Sequence, residues 1–188
     1  MDARWMAEQY RNEQAGIYLR PITDADTSLI VAWRNSDAVK SRFIYREPFT
    51  EEGHRSWLKN VVETGKAIQM IICDLKTDKP FGSVFLRDVD RKHNKAEYGI
   101  FVGEADARGR GVGTAAAKLM LRYAFCEEQL HRVFLRVLAD NAQAIRSYEK
   151  AGFVREAYLR ESVYLDGTYN DVILMSVLDW EWKKEHEI

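Results

Sequence analysis

The feature that most constrains this chain is a turn rich in glycine and arginine, Arg108-Gly109-Arg110-Gly111-Val112-Gly113-Thr114. It lies between an apolar run, residues 98–102, and an amphipathic segment, Val112 to Phe125, so the pattern predicts a strand that leads into a helix. Glycines let a ligand approach the backbone closely, and the unpaired N–H groups and the dipole of a first helical turn favour an anion. The turn therefore predicts a phosphate-binding site.

Composition limits the class of protein. The 188 residues, 46% of them hydrophobic, suit one domain with a substantial core. The 28 basic and 29 acidic residues give a net charge of -1, which argues against nucleic acid or anionic lipid as a partner. Cys73 and Cys126 belong to no closely spaced ligand set, so we expect neither a disulfide scaffold nor a metal site.

The sequence contains no apolar run that approaches the roughly 20 residues needed to span a bilayer. The start, Met1 to Arg11, is polar and mixed in charge, unlike a secretory signal. We therefore expect a cytoplasmic protein that does not bind membranes.

Hydrophobic periodicity predicts an α+β fold with a mixed, mostly antiparallel sheet. Four helices are predicted: after Thr23, after Thr50, over the segment that follows Gly111, and from Ala142 to Ala151. Short turns between consecutive strands indicate an antiparallel meander, whereas a strand–helix–strand crossover requires one locally parallel pair. The strand-like runs are Ile17 to Pro21, Ala67 to Cys73, Phe81 to Val89, Ala96 to Val102, Arg132 to Leu138, Val154 to Tyr164 and Tyr169 to Leu178.

The sequence is divided into an N-terminal extension, residues 1–16, and a single domain, residues 17–188. The extension carries Trp5, Met6 and Tyr10 at helical spacing. It is interpreted either as a short helix that packs on the domain or on a partner subunit, or as a frayed end.

Two phosphate-binding motifs fit the glycine turn poorly. A Walker loop requires Gly-Lys-Ser/Thr, and Gly113-Thr114 has no such lysine. A dinucleotide fingerprint that begins at Gly109 requires glycine or alanine where Thr114 stands, and it opens an alternating β-α-β chain instead of following a meander.

A second motif lies about 30 residues further on: Asn141-x-x-Ala144-x-x-x-Tyr148-x-Lys150-x-Gly152-Phe153. Together with Arg108-x-x-Gly111-x-Gly113 it resembles the GNAT superfamily of acetyl-CoA-dependent N-acetyltransferases, over essentially residues 17 to 178. Within that superfamily it is most similar to the ribosomal-protein, polyamine and amino-sugar N-acetyltransferases. The resemblance implies the acyl-CoA N-acyltransferase fold, a central sheet of about seven strands flanked by about four helices.

The resemblance also implies where acetyl-CoA binds. The glycine turn would hold the coenzyme pyrophosphate, and the preceding strand would pair with the pantetheine arm; N–H groups at a helix start suit a diphosphate. Asn141 would hydrogen-bond the arm, although an asparagine there equally serves as a helix cap. The implied coenzyme residues are Ile100, Phe101, Val102, Arg108, Gly109, Arg110, Gly111, Val112, Gly113, Thr114, Asn141 and Lys150.

Two residues are predicted to be catalytic. An alkylamine is almost wholly protonated at pH 7, so a base near the thioester is required, and Glu97 opens the strand beside the acyl group. The alternative is that the Glu97 side chain points outward from the sheet, because the face it lies on depends on the pairing register of the strand. Tyr148 matches the family tyrosine that protonates the leaving thiolate; the alternative is a buried aromatic on its helix.

The acceptor is left open among an amino sugar, a polyamine and a protein N-terminus. Aromatic residues and arginines between Trp33 and Trp57 are typical of a ligand pocket or of core, and we predict Arg34, Tyr45 and His54 as acceptor contacts. Acceptor specificity is expected in this region and in the closing hairpin. A polyamine site requires carboxylates, for which Glu47, Glu51 and Glu52 are a weak candidate cluster.

Two further alternatives are a catalytically silent acyl-CoA-binding or sensing module and a nucleic-acid adaptor; the latter requires a basic face that the composition does not suggest. The oligomeric state is open, and a homodimer is the common outcome for soluble proteins.

Overall fold

The computed structural model describes residues 8–186, which form one mixed α+β domain. The described strands are β1 (Arg11–Asn12), β2 (Ile17–Pro21), β3 (Ile68–Asp74), β4 (Pro80–Asp90), β5 (Lys95–Val102), β6 (Arg132–Leu138), β7 (Val154–Leu165) and β8 (Thr168–Leu178). They build one eight-stranded sheet in the order β1-β2-β3-β4-β5-β6-β8-β7. Every neighbouring pair is antiparallel except β5 and β6, which are parallel.

The described helices are α1 (Thr27–Asn35), α2 (Asp37–Lys40), α3 (Glu51–Trp57), α4 (Val112–Cys126), α5 (Ala142–Lys150) and α6 (Asp179–Glu185). A π-helical turn, Leu58–Val62, continues α3. No helix among residues 8–186 is long and apolar enough to cross a membrane.

The predicted fold class, the meander and the parallel crossover are confirmed. The strand count differs by one because β1 is a two-residue pairing, too short to show alternation. The predicted helix with Trp5 and Met6 lies outside the described residues, whereas Tyr10 is buried and packs edge-to-face on Tyr123. The division of the chain at residue 16 stays a prediction.

The sheet separates two layers of side chains. Even-numbered residues of β5, such as Tyr98, join the large core under α4, whose small residues Ala116 and Ala117 are fully buried. Odd-numbered residues such as Phe101 face the opposite layer, where Ile30 and Trp33 of α1 pack. The pleat of β5 therefore directs successive side chains to different halves of the molecule.

A partly buried ion pair holds the 3-10 turn Asp24–Asp26 that leads into α1. The Arg20 guanidinium donates to both carboxylate oxygens of Asp26 at 2.9 and 2.7 Å, and the Thr23 backbone N–H donates to Asp26 at 2.8 Å. Burial alone would raise the pKa of Asp26, but these hydrogen bonds outweigh it and lower the pKa. The cap predicted from Thr23 and Asp26 is therefore present, and it orients the helix that carries Trp33 and Arg34.

Candidate active site

A gap opens between β5 and β6. The two strands pair only at Lys95, Ala96 and Glu97, and the ladder ends there. On its other side β5 stays paired with β4 as far as Val102. Among the described residues, no strand lies beside residues 98–102 on the side that faces β6, so the backbone groups of residues 98–101 on that side are available to an amide-containing ligand.

A cavity of about 1050 Å³ passes through this gap. On one side it is lined by the glycine turn and by α4 and α5. On the other it is lined by α1, the segment 41–50 and α3. We call these the donor half and the acceptor half. No described residue of the β7–β8 hairpin lines the cavity, although Asp166 of its turn pairs with Arg46 of the segment 41–50; the expected share of that hairpin in acceptor specificity stays a prediction.

The glycine turn closes the donor half. Gly109 and Gly111 adopt positive φ angles of 76° and 80°, and α4 begins directly after them. The Arg108 guanidinium donates to the carbonyls of Val102 and Gly103 at 3.4 and 3.2 Å, which ties the turn to the end of β5. The first-turn N–H groups of α4 have no intrahelical partners and suit an anion.

The other predicted donor residues lie around the same half. Thr114 and Ser147 are joined by a hydrogen bond of 2.8 Å between their hydroxyls, which holds α4 against α5. Asn141 caps α5 by accepting from the Ala144 N–H at 3.3 Å, and it also lines the cavity; its hydrogen bond to the pantetheine arm stays a prediction. Ile100, Phe101, Val102, Gly113 and Lys150 line the cavity too.

Arg110 does not line the cavity. Its guanidinium lies 5.3 Å from the centre of the Phe81 ring and 3.9 Å from the Asp74 carboxylate, which draw it away. Its predicted contact with pyrophosphate therefore has no support from this geometry. Arg146 lines the donor half instead, and the sequence analysis missed it.

We predict that Gly111→Ala lowers CoA affinity about tenfold, because a Cβ at φ 80° is strained by roughly 1–2 kcal/mol and occupies the approach to the turn. Gly16→Ala is the matched control: it has a φ of 66° with open space around its Cβ, and it lies outside the cavity. Thermal unfolding should shift similarly in both variants, whereas CoA titration should change only for Gly111→Ala. Equal CoA affinity in the two variants would contradict this role.

Tyr148 is half-buried and packs against two aromatic rings. Its ring centre lies 6.0 Å from that of Tyr98 and 5.8 Å from that of Phe153. Burial raises the pKa of Tyr148 to about 12, so the hydroxyl keeps its proton at neutral pH. Tyr98 lines the cavity beside it, and its buried hydroxyl has no hydrogen-bond partner in the part of the chain that the structure describes.

Glu97 lies at the vertex of the gap, buried and on the acceptor face. Its carboxylate accepts hydrogen bonds from Arg87 at 3.2 and 2.8 Å and from Arg136 at 3.0 and 3.1 Å. The alternative of an outward-facing strand residue is therefore excluded. Neither arginine was among the predicted site residues; the available signal was an arginine placed inside each of two apolar strands.

The three predicted acceptor residues all line the acceptor half. Arg34 is 7% exposed, whereas Tyr45 is 47% exposed at the rim. Arg136 donates to the Tyr45 hydroxyl at 3.0 Å. Partial burial raises the pKa of Tyr45, but hydrogen bonds with Arg136 and Arg87 outweigh it, and the net shift is downward.

His54 is buried on α3 and lines the cavity, with Nδ1 3.0 Å from the Thr27 hydroxyl; its buried Nε2 has no hydrogen-bond partner among the described residues. Burial lowers its pKa, so the imidazole is neutral at pH 7. The contact of His54 with a bound acceptor stays a prediction.

A strand that splays from its parallel neighbour, a glycine turn at a helix start and a tyrosine on the next helix together define an acyl-CoA-dependent transferase. The model of the acetyltransferase (GNAT) domain matches residues 17–154. The chain therefore belongs to the GNAT acetyltransferases, and acetyl-CoA is its acyl donor.

Individual relatives agree with the predicted branch. The chain is 28% identical to spermidine N(1)-acetyltransferase of Escherichia coli K12, over 91% of this chain and 90% of that protein. It is 29% identical to a putative ribosomal N-acetyltransferase of Bacillus subtilis, over 75% and 73%. The solved structure of Vibrio cholerae spermidine N-acetyltransferase in complex with CoA and spermine superposes with a TM-score of 0.83, at 25% identity, over 91% and 99% of the two chains.

Proposed function

We propose that this protein transfers an acetyl group from acetyl-CoA directly to the primary amine of a small molecule or of a protein N-terminus. The observation that supports direct transfer is the continuity of the cavity: the donor and acceptor halves meet at the gap between β5 and β6, so both substrates bind at once. Neither cysteine lines the cavity, so an acyl-enzyme intermediate on sulfur is not needed.

In the proposed donor complex the pyrophosphate lies at the turn of residues 108–114 and the pantetheine arm lies along residues 100–102. Arg146 and Lys150 place positive charge near the phosphates. The arm then brings the thioester to the vertex of the gap, where Glu97 lies.

The amine must lose a proton to attack. At pH 7, deprotonation of an alkylammonium ion to the free amine costs about 4.6 kcal/mol. We propose that Glu97 takes this proton, directly or through a water molecule, because it is the one carboxylate among the described residues that line the cavity. Its four hydrogen bonds from Arg87 and Arg136 hold the carboxylate in place.

After attack, the bond between the acyl carbon and sulfur breaks and CoA leaves as a thiolate. We propose that Tyr148 donates its proton to this sulfur. Its burial keeps the hydroxyl protonated, as a proton donor requires.

The function is tested by measuring release of the CoA thiol from acetyl-CoA with a panel of amines: spermidine, glucosamine, short peptides and simple alkylamines. We expect release that depends on both substrates, with an N-acetylated product of matching mass. Tight CoA binding without thiol release for any amine would favour the acyl-CoA-binding or sensing module instead.

A further inference from the structure

The acceptor half carries an excess of positive charge. Glu97 is the one carboxylate that the described residues contribute to the cavity. Four arginines line the acceptor half: Arg34, Arg42, Arg87 and Arg136. Glu47, Glu51 and Glu52, the weak candidate cluster for a polyamine, do not line it. Glu51 instead pairs with Arg55 on the exposed side of α3.

Arg34 is a buried cation whose binding capacity is incomplete. One guanidinium nitrogen, Nη2, donates to the Tyr45 carbonyl at 3.1 Å, whereas Nη1 is buried and finds no hydrogen-bond partner within residues 8–186. Arg87 and Arg136 hold Glu97, but Arg34 has no carboxylate partner among the described residues. A buried charge without a counter-ion is costly in free energy. An anion that pairs with this guanidinium therefore gains binding free energy.

Aromatic rings fix the orientation of this guanidinium. Its central carbon lies 3.6 Å from the centre of the Phe43 ring and 4.6 Å from that of Phe49. Burial, with repulsion from Arg87, lowers the pKa of Arg34 to about 10, which leaves the side chain cationic at pH 7. The fork of donors is therefore charged and rigid, as recognition of a carboxylate or a phosphate requires.

We propose that the acceptor is a small amine that also carries an acidic group, a carboxylate or a phosphate, and that this group binds Arg34 while the amine reaches the gap beside Glu97. The inference rests on the proposed acetyl transfer and names its acceptor class. It also distinguishes this chain from its spermidine-acetylating relatives, since a polycation would meet four arginines and one carboxylate.

The first test compares amines of equal length that differ only at the far end: 5-aminopentanoate, 5-amino-1-pentanol and 1,5-diaminopentane. We expect kcat/KM to fall in that order, by about tenfold or more per step, which is about 1.4 kcal/mol. A second comparison, of O-phosphoethanolamine with ethanolamine, tests a phosphate in place of the carboxylate. The acidic group is identified by the pair in which kcat/KM of the acidic amine exceeds that of its neutral counterpart by the larger factor. Equal or better use of 1,5-diaminopentane overturns the inference and leaves acetyl transfer intact, whereas no thiol release with any amine overturns both.

Salt provides a second readout on the unmodified protein. Raising NaCl from about 0.02 to about 0.2 M should lower kcat/KM for 5-aminopentanoate and raise it for 1,5-diaminopentane, because the Debye length contracts. The same direction of change for both amines would contradict charge selection.

Variants locate the group. Arg34→Gln should lower kcat/KM for 5-aminopentanoate at least about tenfold and leave or raise that for 1,5-diaminopentane, with Arg34→Lys between. Lys59→Gln, which removes an exposed charge outside the cavity, is the control. CoA affinity verifies that Arg34→Gln is folded; if it is not, the amine series and the salt test decide. An equal loss for both amines in folded Arg34→Gln would overturn the assignment.

Discussion

Replacing Tyr148 by phenylalanine is expected to lower kcat by about 100-fold or more, while the dissociation constant of CoA changes less than about twofold. The reason is that a positioned general acid contributes roughly 10²- to 10⁴-fold, and this substitution removes only the hydroxyl. The ring contacts with Tyr98 and Phe153 stay in place, so the shape of the donor half is kept. Thiol release gives kcat, and calorimetric titration gives CoA affinity.

The pH dependence tests the same assignment independently. A proton donor is active while protonated, and because burial raises the pKa of Tyr148 to about 12, its hydroxyl stays protonated through pH 10. We therefore expect that wild-type kcat does not fall between pH 8 and 10 through loss of the Tyr148 proton. A fall in this range that is absent from Tyr148→Phe would contradict the assignment.

Tyr164→Phe removes the same atom from an exposed ring of the hairpin, outside the cavity, and is the control. If Tyr148→Phe has the same kcat as this control, Tyr148 contributes only to packing and not to proton transfer.

The backbone geometry of the donor half could be predicted from the sequence because its residues are contiguous and their requirements are local. Gly109 and Gly111 need positive φ, and α4 shows a clear apolar face, so the turn and its anion affinity follow from neighbouring residues. The β5–β6 crossover followed from the length of the connection.

The acceptor side was only partly predictable, because its contacts join residues far apart in the chain. Arg87 and Arg136 meet at Glu97 only through the registers of β4 with β5 and of β5 with β6. The lack of a carboxylate for Arg34 depends likewise on tertiary packing. Composition also misled: a net charge of -1 for the whole chain conceals a cavity lined by arginines.

Glu97→Gln is expected to lower kcat at pH 7 by about 100-fold, because the amide cannot take the amine proton. If the base alone is lost, activity should recover as the free-amine fraction rises, by about tenfold per pH unit between about pH 7 and 9. The variant also leaves Arg87 and Arg136 without their shared carboxylate. Because these arginines are 28% and 34% exposed, we expect a loss of about 1–3 kcal/mol in unfolding free energy, less than for a fully buried pair.

Glu156→Gln separates the two effects. Glu156 accepts hydrogen bonds from Arg132 and Ser176 on the same sheet but does not line the cavity, so this variant loses an arginine partner without touching the acceptor. It should be destabilised and keep its kcat. If Glu97→Gln instead keeps kcat and only raises the KM of the amine, Glu97 holds Arg87 and Arg136 in position, and the amine enters already deprotonated. The pH profile distinguishes these mechanisms, because a positioning role gives the variant the same profile as the wild type.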